Sequence, residues 1–488
     1  MSRKKQILLI FLVIFSMGGF IYSSVNVFTA MKTIDQVMRL VRDFYVNPVD
    51  VDKLLDFAIE AIANSLDVHT TYLEESDYEN LIIQTKGEFG GLGIRISKRG
   101  DYITIIAPIE DTPAYRAGLL QGDKITAIEG ISTKDMNLNK AVSMMRGNPG
   151  TKVTITISRE GLDDPSDFTI TRDIIKIKTV PYAGVVDEEI GYIRLNSFSK
   201  TTTSEMKNAL DSLIYIGVTK FILDLRSNPG GILSEAIDIA SLFINKGKEI
   251  VYTEGKAVHE SYNSTDGSYG KFPLVVLVDE FSASGSEIVA GAIQDWDRGL
   301  LLGMRTFGKG SVQRAYPLHN GKALKLTIAR YHTPSGRCID RELINDTTAI
   351  YHTRGELHRE VKGGGGIIPD SILIYKSTDL FTKIRSRGIA FDFIVSYASK
   401  YPEVDHVTPS MIEEFKEKVM EKEIEFTEEE WDSSLYYIKR DLSLSLAYNK
   451  WGTKGRYQVL IPKDEHIQTS IAILKKVKVP SDLYAYLL

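Results

Sequence analysis

The chain has 488 residues, 43% hydrophobic and 25% charged, with a formal net charge of −5 at pH 7. This is the composition of a folded globular protein long enough for about three domains of ~150 residues, and its mild acidity gives no general reason to expect a nucleic-acid partner. One cysteine, Cys338, excludes an intrachain disulfide and a cysteine-based metal site, and the eight histidines are scattered, so neither metal nor cofactor is expected.

Arg3, Lys4 and Lys5 precede "QILLIFLVIFSMGGFIYSSVNVF", a basic flank and then about 20 apolar residues, enough to cross a bilayer. No small-x-small cleavage site stands near residues 22–30, so residues 1–30 read as a signal anchor in preference to a removed signal peptide. Basic residues on the N-terminal side keep that end cytoplasmic. The remainder is expected outside the cytoplasm, on the periplasmic side of a bacterial inner membrane. Residues 31–78 follow as a helical region, because "MKTIDQVMRLVRDFYV" and "VDKLLDFAIEAIANSL" repeat apolar residues at helical intervals. "LDVHTTYLEESDYENL" reads as a turn and a short helix.

Over residues 79–177 short strands alternate with glycine: "GEFGGLGIRIS", "DYITIIAPI", "GDKITAIEG" and "GTKVTITISREG", with short helices at "TPAYRAGL" and "NKAVSMMR". The pattern predicts a compact, partly open barrel. "FGGLGIRI" runs into an alternating strand, whereas a dinucleotide fingerprint would run into a helix, so that motif is rejected. Gly90, Gly91, Leu92 and Gly93 form either a plain tight turn or a loop whose N–H groups hold a carboxylate while an extended peptide adds along the strand edge.

Residues 178–376 read as α/β. Apolar strands "IGYIRL", "KFILDL", "LVVLVD", "GLLLG" and "KALKLTIARY" alternate with helices such as "SEMKNALDSLIYIG" and "LSEAIDIASLFIN". Two loops stand at strand carboxyl ends, where open α/β sheets bind ligands: "RSNPGGI" after "FILDL", and "FSASGSE" after "LVVLVD". Residues 377–488 are helix formers rich in Glu and Lys, whose charge run reads as a solvated helix face.

The chemistry converges on "FSASGSE". Ser284 with Glu287 three residues on has the form of a helix capping box. A serine nucleophile needs a positioned base, and no histidine lies nearby. Downstream, "RTFGKGSVQ" sets Lys309 between two glycines with Gln313 four residues later. A lysine base must be neutral, so its pKa has to fall from ~10.4 towards ~7–8, a change worth roughly 4 kcal/mol that desolvation can supply. An acid beside the amine would undo this; an amide such as Gln313 orients the amine without stabilising the ammonium.

Together, "ILDLRSNPGG", "SASGSEIVAGAIQD", "FGKGSVQ" and "GGGGIIPD", in that order, resemble the carboxyl-terminal processing peptidases, or tail-specific proteases. The resemblance extends over roughly residues 35–375 and takes in the PDZ-like "AGLLQGDKITAIEGIST". It implies a Clp-protease/crotonase-like α/β core with an inserted PDZ domain between helical N- and C-terminal regions. It further implies Ser284 as nucleophile, Lys309 as general base, Gln313 as the residue orienting the lysine, and an oxyanion hole from the N–H groups of Gly230 and Gly285. Gly285 stands where the family more often has Ala; the N–H is present either way. The implied partners are proteins or peptides with free C-termini, and helices at both ends suggest a homodimer, with an adaptor protein a further candidate. Three other readings are a catalytically silent PDZ scaffold at the membrane, a Ser-His-Asp hydrolase using His259, His319 or His332, and a non-enzymatic ligand-binding descendant of the same core.

Overall fold

A computed structural model describes residues 28–342 and 349–487. The expected signal anchor lies outside the described residues as far as residue 27. No helix among the described residues is long and apolar enough to cross a membrane. The chain divides into two units, one made of residues up to Glu75 with Gln313–Thr327, the other of Ser76–Val312 with Ile328 onward.

In the first unit residues 28–44 are helical, and a second helix, Val51–Asn64, is capped by Asp50, whose side chain accepts the Lys53 N–H. Asp67 then accepts the N–H groups of His69 and Thr70, both at 2.8 Å, and bends "LDVHTT" into the expected turn. Thr71–Leu73 goes on as a strand, which the sequence did not announce; it pairs antiparallel with Ala323–Lys325. Three residues are too few to show a period, and the partner lies far along the chain.

In the second unit a helix that ends at Lys86 leads into a small β domain. Glu88–Gly91 pairs antiparallel with Asp173–Lys176 and ties its two ends together. Between them a sheet runs in the order Ile94–Arg99, Tyr102–Pro108, Lys124–Ile128, Lys152–Ser158, Ser166–Thr171. Ile94–Arg99 is therefore an edge strand. The helix Leu138–Met145 contributes buried Ala141 and Met145 to a core that includes Leu92, Ile105 and Ile155.

Next comes a six-stranded sheet in the order Tyr182–Asp187, Ile190–Arg194, Lys220–Asp224, Leu274–Val278, Leu300–Gly303, Ser371–Ile372, parallel throughout except for the first pair. "LVVLV" is uniformly apolar because both faces of the strand are covered. Leu274, Val276 and Val278 pack with the helices Thr202–Tyr215, Leu233–Phe243 and Gly285–Asp295. Val275 and Leu277 face the opposite way, into a cluster supplied by the end of the chain: Ile467, Ile471, Leu474, Leu483 and Leu487. The apolar tail "AYLL" thus belongs in part to the core. Before it, helices Ile389–Lys400, Pro409–Glu421 and Glu428–Lys463 gather around Phe393, Phe415 and Trp431, the last helix being interrupted at Gly452.

Leu483 is 1% exposed on that second face. Leu483→Ala should lower the unfolding free energy by about 2–5 kcal/mol in a denaturant titration, whereas a detached tail would show no change.

Candidate active site

The turn from Leu274–Val278 into the helix Gly285–Asp295 forces Ser284 to φ 54° and ψ −112°, a conformation costing a non-glycine residue about 1–3 kcal/mol. Of the three serines there, two are consumed by structure. Ser282 is fully buried and donates to the Leu225 carbonyl at 2.9 Å; Ser286, equally buried, donates to the Asn228 carbonyl at 2.9 Å. Ser284 is half-buried, and its side chain makes no capping hydrogen bond. The Glu287 half of the expected capping box carries a hydrogen bond at 2.8 Å, in which the carboxylate accepts the Ser284 N–H.

That carboxylate does more than cap. Glu287 is 0% exposed. Its Oε2 accepts the N–H of Lys309 at 2.9 Å as well as that of Ser284, and its Oε1 accepts the Gly308 N–H at 2.7 Å and the Thr306 hydroxyl at 2.6 Å. Four donors on two oxygens suit an acceptor-only carboxylate. Burial pushes its pKa up from 4.5 to about 7, and the hydrogen bonds from Thr306, Lys309, Gly308 and Ser284 restrain the rise. The sequence reading saw the cap at Ser284 but had no signal for the link to "FGKG", because that contact crosses between two loops.

Glycine is needed where these loops touch. At Gly308, φ +88°, a side chain would lie 2.9 Å from the backbone of Gly365 and Gly366, so "FGKG" and "GGGGIIPD" meet backbone to backbone. At Gly230, φ +93°, it would fall 2.8 Å from Ser284 Cβ and 2.7 Å from the Gly285 nitrogen. "NPGG" therefore lies directly against the Ser284 turn. The Gly230 N–H itself donates to Asn228 Oδ1 at 2.9 Å. Gly285 is the first residue of its helix, a position whose N–H has no intrahelical acceptor.

The other candidates are distributed as follows. Gln313 belongs to the first unit, where its Nε2 meets Thr327 Oγ1 at 3.4 Å. Gly90 and Gly91 are not in an open loop; they stand in the ladder opposite Ile174 and Asp173. Leu92 is buried, and Gly93, φ +81°, makes the turn into the edge strand. His332 stacks on Tyr252 with ring centroids 4.7 Å apart, and His259 lies exposed on its own strand. Among the described residues neither hydrogen-bonds to Ser284, and no group of histidine, cysteine and acidic side chains could hold a metal.

Beside these loops a cavity of about 430 Å³ separates the sheet ends from the C-terminal helices. Its wall is an ion-pair ladder: Asp224 to Arg194 at 2.9 Å and Arg226 at 2.5 Å, then Arg226 to Asp464 at 3.1 Å. Burial would raise the Asp224 pKa, but Arg226 and Arg194 hold it well below the usual carboxylate range. Asp464 also caps the helix Glu465–Leu474 through the N–H groups of His466 and Ile467, so the ladder joins an active-site strand to the last helix.

A strained, half-buried serine at a strand-to-helix turn, sharing a buried carboxylate with a lysine loop, is the layout of a serine hydrolase, and the edge-stranded β domain is suited to extended chains. Comparison with known proteins specifies the class. The profile of peptidase family S41 matches residues 189–350 and that of a PDZ domain residues 104–159. A carboxy-terminal-processing protease of Bartonella bacilliformis is 43% identical over 322 residues, covering 64% of this chain and 73% of that protein. The carboxy-terminal processing protease CtpA of Bacillus subtilis is 37% identical over 311 residues, covering 63% and 66%. Among solved structures, the photosystem II D1 C-terminal processing protease is similar at 27% identity and a TM-score of 0.38, over 69% of this chain and 91% of that one. The chain belongs to peptidase family S41, as a serine-type carboxyl-terminal processing peptidase carrying a PDZ domain. The silent-scaffold reading gives way to the catalytic one.

Glu287→Gln turns an amide N–H₂ towards a set of donors, and should cost about 1–3 kcal/mol of stability together with most of the turnover. Because the folded pKa lies above the unfolded one, Glu287 contributes stability that is complete below about 4.5 and lost as pH rises through about 7. Unfolding titrations at several pH values should show that decline in the wild type and a flatter profile in Glu287→Gln; equal slopes would mean that Glu287 does not titrate there.

Proposed function

We propose that Ser284 is the nucleophile and Lys309 the general base of a peptidase acting on the C-terminal tails of exported proteins. The observation that carries this reading is the single Glu287 oxygen that takes the backbone N–H of both residues. In the proposed reaction neutral Lys309 Nζ takes the proton from Ser284 Oγ as Oγ attacks the scissile carbonyl carbon. The C–N bond then breaks, and Lys309 passes the proton to the leaving amine. Water releases the acyl group by the same route, giving up its proton to Lys309 and leaving a new carboxylate while Oγ recovers a proton. The Gly285 N–H, at the positive end of its helix, supports the developing oxyanion. The Gly230 N–H joins it when substrate oxygen replaces Asn228 Oδ1 as its acceptor. Gln313 keeps the orienting role implied by family resemblance and by the chemistry of an uncharged amide.

The PDZ domain supports peptide binding. The substrate tail is proposed to add as a strand along Ile94–Arg99, its carboxylate received at the turn through Leu92 and Gly93. Gating by this domain is part of the proposal. Arg99 forms an ion pair with Asp392 of the C-terminal helices at 2.8 Å, and a tail bound on the same strand can bias that docking. The remaining assignments rest on sequence alone: a membrane anchor within residues 1–30, a periplasmic location, a homodimer and an adaptor partner.

Ser284→Ala and Lys309→Ala should each lower kcat on a peptide with an apolar C-terminal tail by at least about 10⁴-fold, while fluorescence anisotropy of the labelled tail shows unchanged binding. Substantial turnover by Lys309→Ala would remove the dyad. Deleting residues 1–30 should move the protein from the membrane pellet to the soluble fraction; continued pelleting would remove the anchor.

A further inference from the structure

Tyr331 takes no part in the proton transfers above, yet its hydroxyl touches the backbone of both reacting residues. It lies on the strand Ala323–His332, is 1% exposed, and sits opposite Thr253 in an antiparallel ladder. Its own N–H donates to the Gly310 carbonyl at 2.8 Å, next to Lys309. The hydroxyl is 3.2 Å from the Ser284 carbonyl oxygen and in closer contact with that of Lys309. A phenol has one proton to donate. The Ser284 carbonyl already accepts the N–H groups of Glu287 and Ile288 at 2.8 and 3.0 Å, so the Lys309 carbonyl is the natural recipient and the Ser284 carbonyl the secondary one.

We infer that Tyr331 is a positioning residue that fixes the spacing of Ser284 and Lys309, its hydroxyl donating to the Lys309 carbonyl while resting against the Ser284 carbonyl. The inference rests on the dyad assignment above and extends it. Glu287 holds the N–H of each residue; Tyr331 gives its one proton to the Lys309 C=O and lies against the Ser284 C=O, so a turn of the lysine backbone breaks a buried hydrogen bond at either end and a turn of the serine backbone disturbs the same hydroxyl. A residue fixed on both sides has a fixed Cα–Cβ direction, which determines where Oγ and the lysine stem begin. Reaction requires the attacking atoms to start about 3–3.5 Å apart, and a displacement of about 1 Å can cost on the order of 10²-fold in rate. Packing alone would be served by phenylalanine; a buried hydroxyl is tolerated where it finds a partner. Burial, with the Glu287 charge adding to it, keeps the phenol protonated and therefore a donor throughout the working range.

The test is Tyr331→Phe in the full chain, measured beside wild type, Ser284→Ala and Lys309→Ala on a peptide with an apolar C-terminal tail. The expected result is a fall in kcat of about 10- to 100-fold, with KM, tail affinity and the midpoints of the pH–rate profile unchanged. Inactivation by a fluorophosphonate, which reads nucleophile alignment without tail docking, should slow by a similar factor. Wild-type kcat in Tyr331→Phe, with Lys309→Ala inactive, overturns this inference and leaves the dyad standing. A shift in the pH midpoints overturns it in another way, because Tyr331 would then exchange protons. A deficit that disappears at a temperature where the variant is fully folded would reduce the hydroxyl to a stability role. Turnover by Lys309→Ala removes the dyad and this inference together.

Discussion

A fully buried carboxylate, Glu287, is the constraint around which the catalytic region is built. An uncompensated charge in such a place would cost several kcal/mol. Here it is met by four donors from the serine turn and the lysine loop, so the penalty of burying it becomes a reason for the two to stay together. The acid also accepts the backbone N–H groups of Ser284 and Lys309. It can therefore organise the lysine loop through its backbone.

The constraint propagates outward through backbone contacts that only glycine permits. Gly308 lets the lysine loop lie against "GGGGIIPD", and Gly230 lets "NPGG" lie against the serine turn. Thr306 completes the circuit: its hydroxyl donates to Glu287 and accepts the Ile367 N–H at 2.7 Å. Asn228 secures the other side. Fully buried, it gives its carbonyl to the Ala283 N–H and the Ser286 hydroxyl and its amide to the Leu195 carbonyl. Ser284 is thus strained and held from several directions, as a turn at φ 54° must be if it is to persist.

The C-terminal region has a clearer task than its charge suggests. The sheet carrying the catalytic loops is apolar on both faces; the intervening helices cover one, and the last stretch of the chain covers the other. The Arg226–Asp464 pair then couples that cover to the strand end leading into "NPGG". Core packing and the placement of that strand end thus share the Arg226–Asp464 contact.

By itself the sequence determined the local order: the apolar strands, the amphipathic helices, the loops that close them, and the serine and lysine whose motifs match a protease family. These are properties of short windows, where period and glycine placement carry the information. The three-residue strand Thr71–Leu73, the second face supplied by Leu483 and Leu487, and the pairing of Gly90 and Gly91 in a ladder were not legible, because each depends on a partner distant along the chain. The same applies at the site. "SGSE" showed a cap, but only the folded chain puts Glu287 under Lys309 and the Tyr331 hydroxyl over the carbonyls of both residues. Hydrogen bonds between loops leave no periodic trace in sequence; they come into being when the sheet fixes where the loops end.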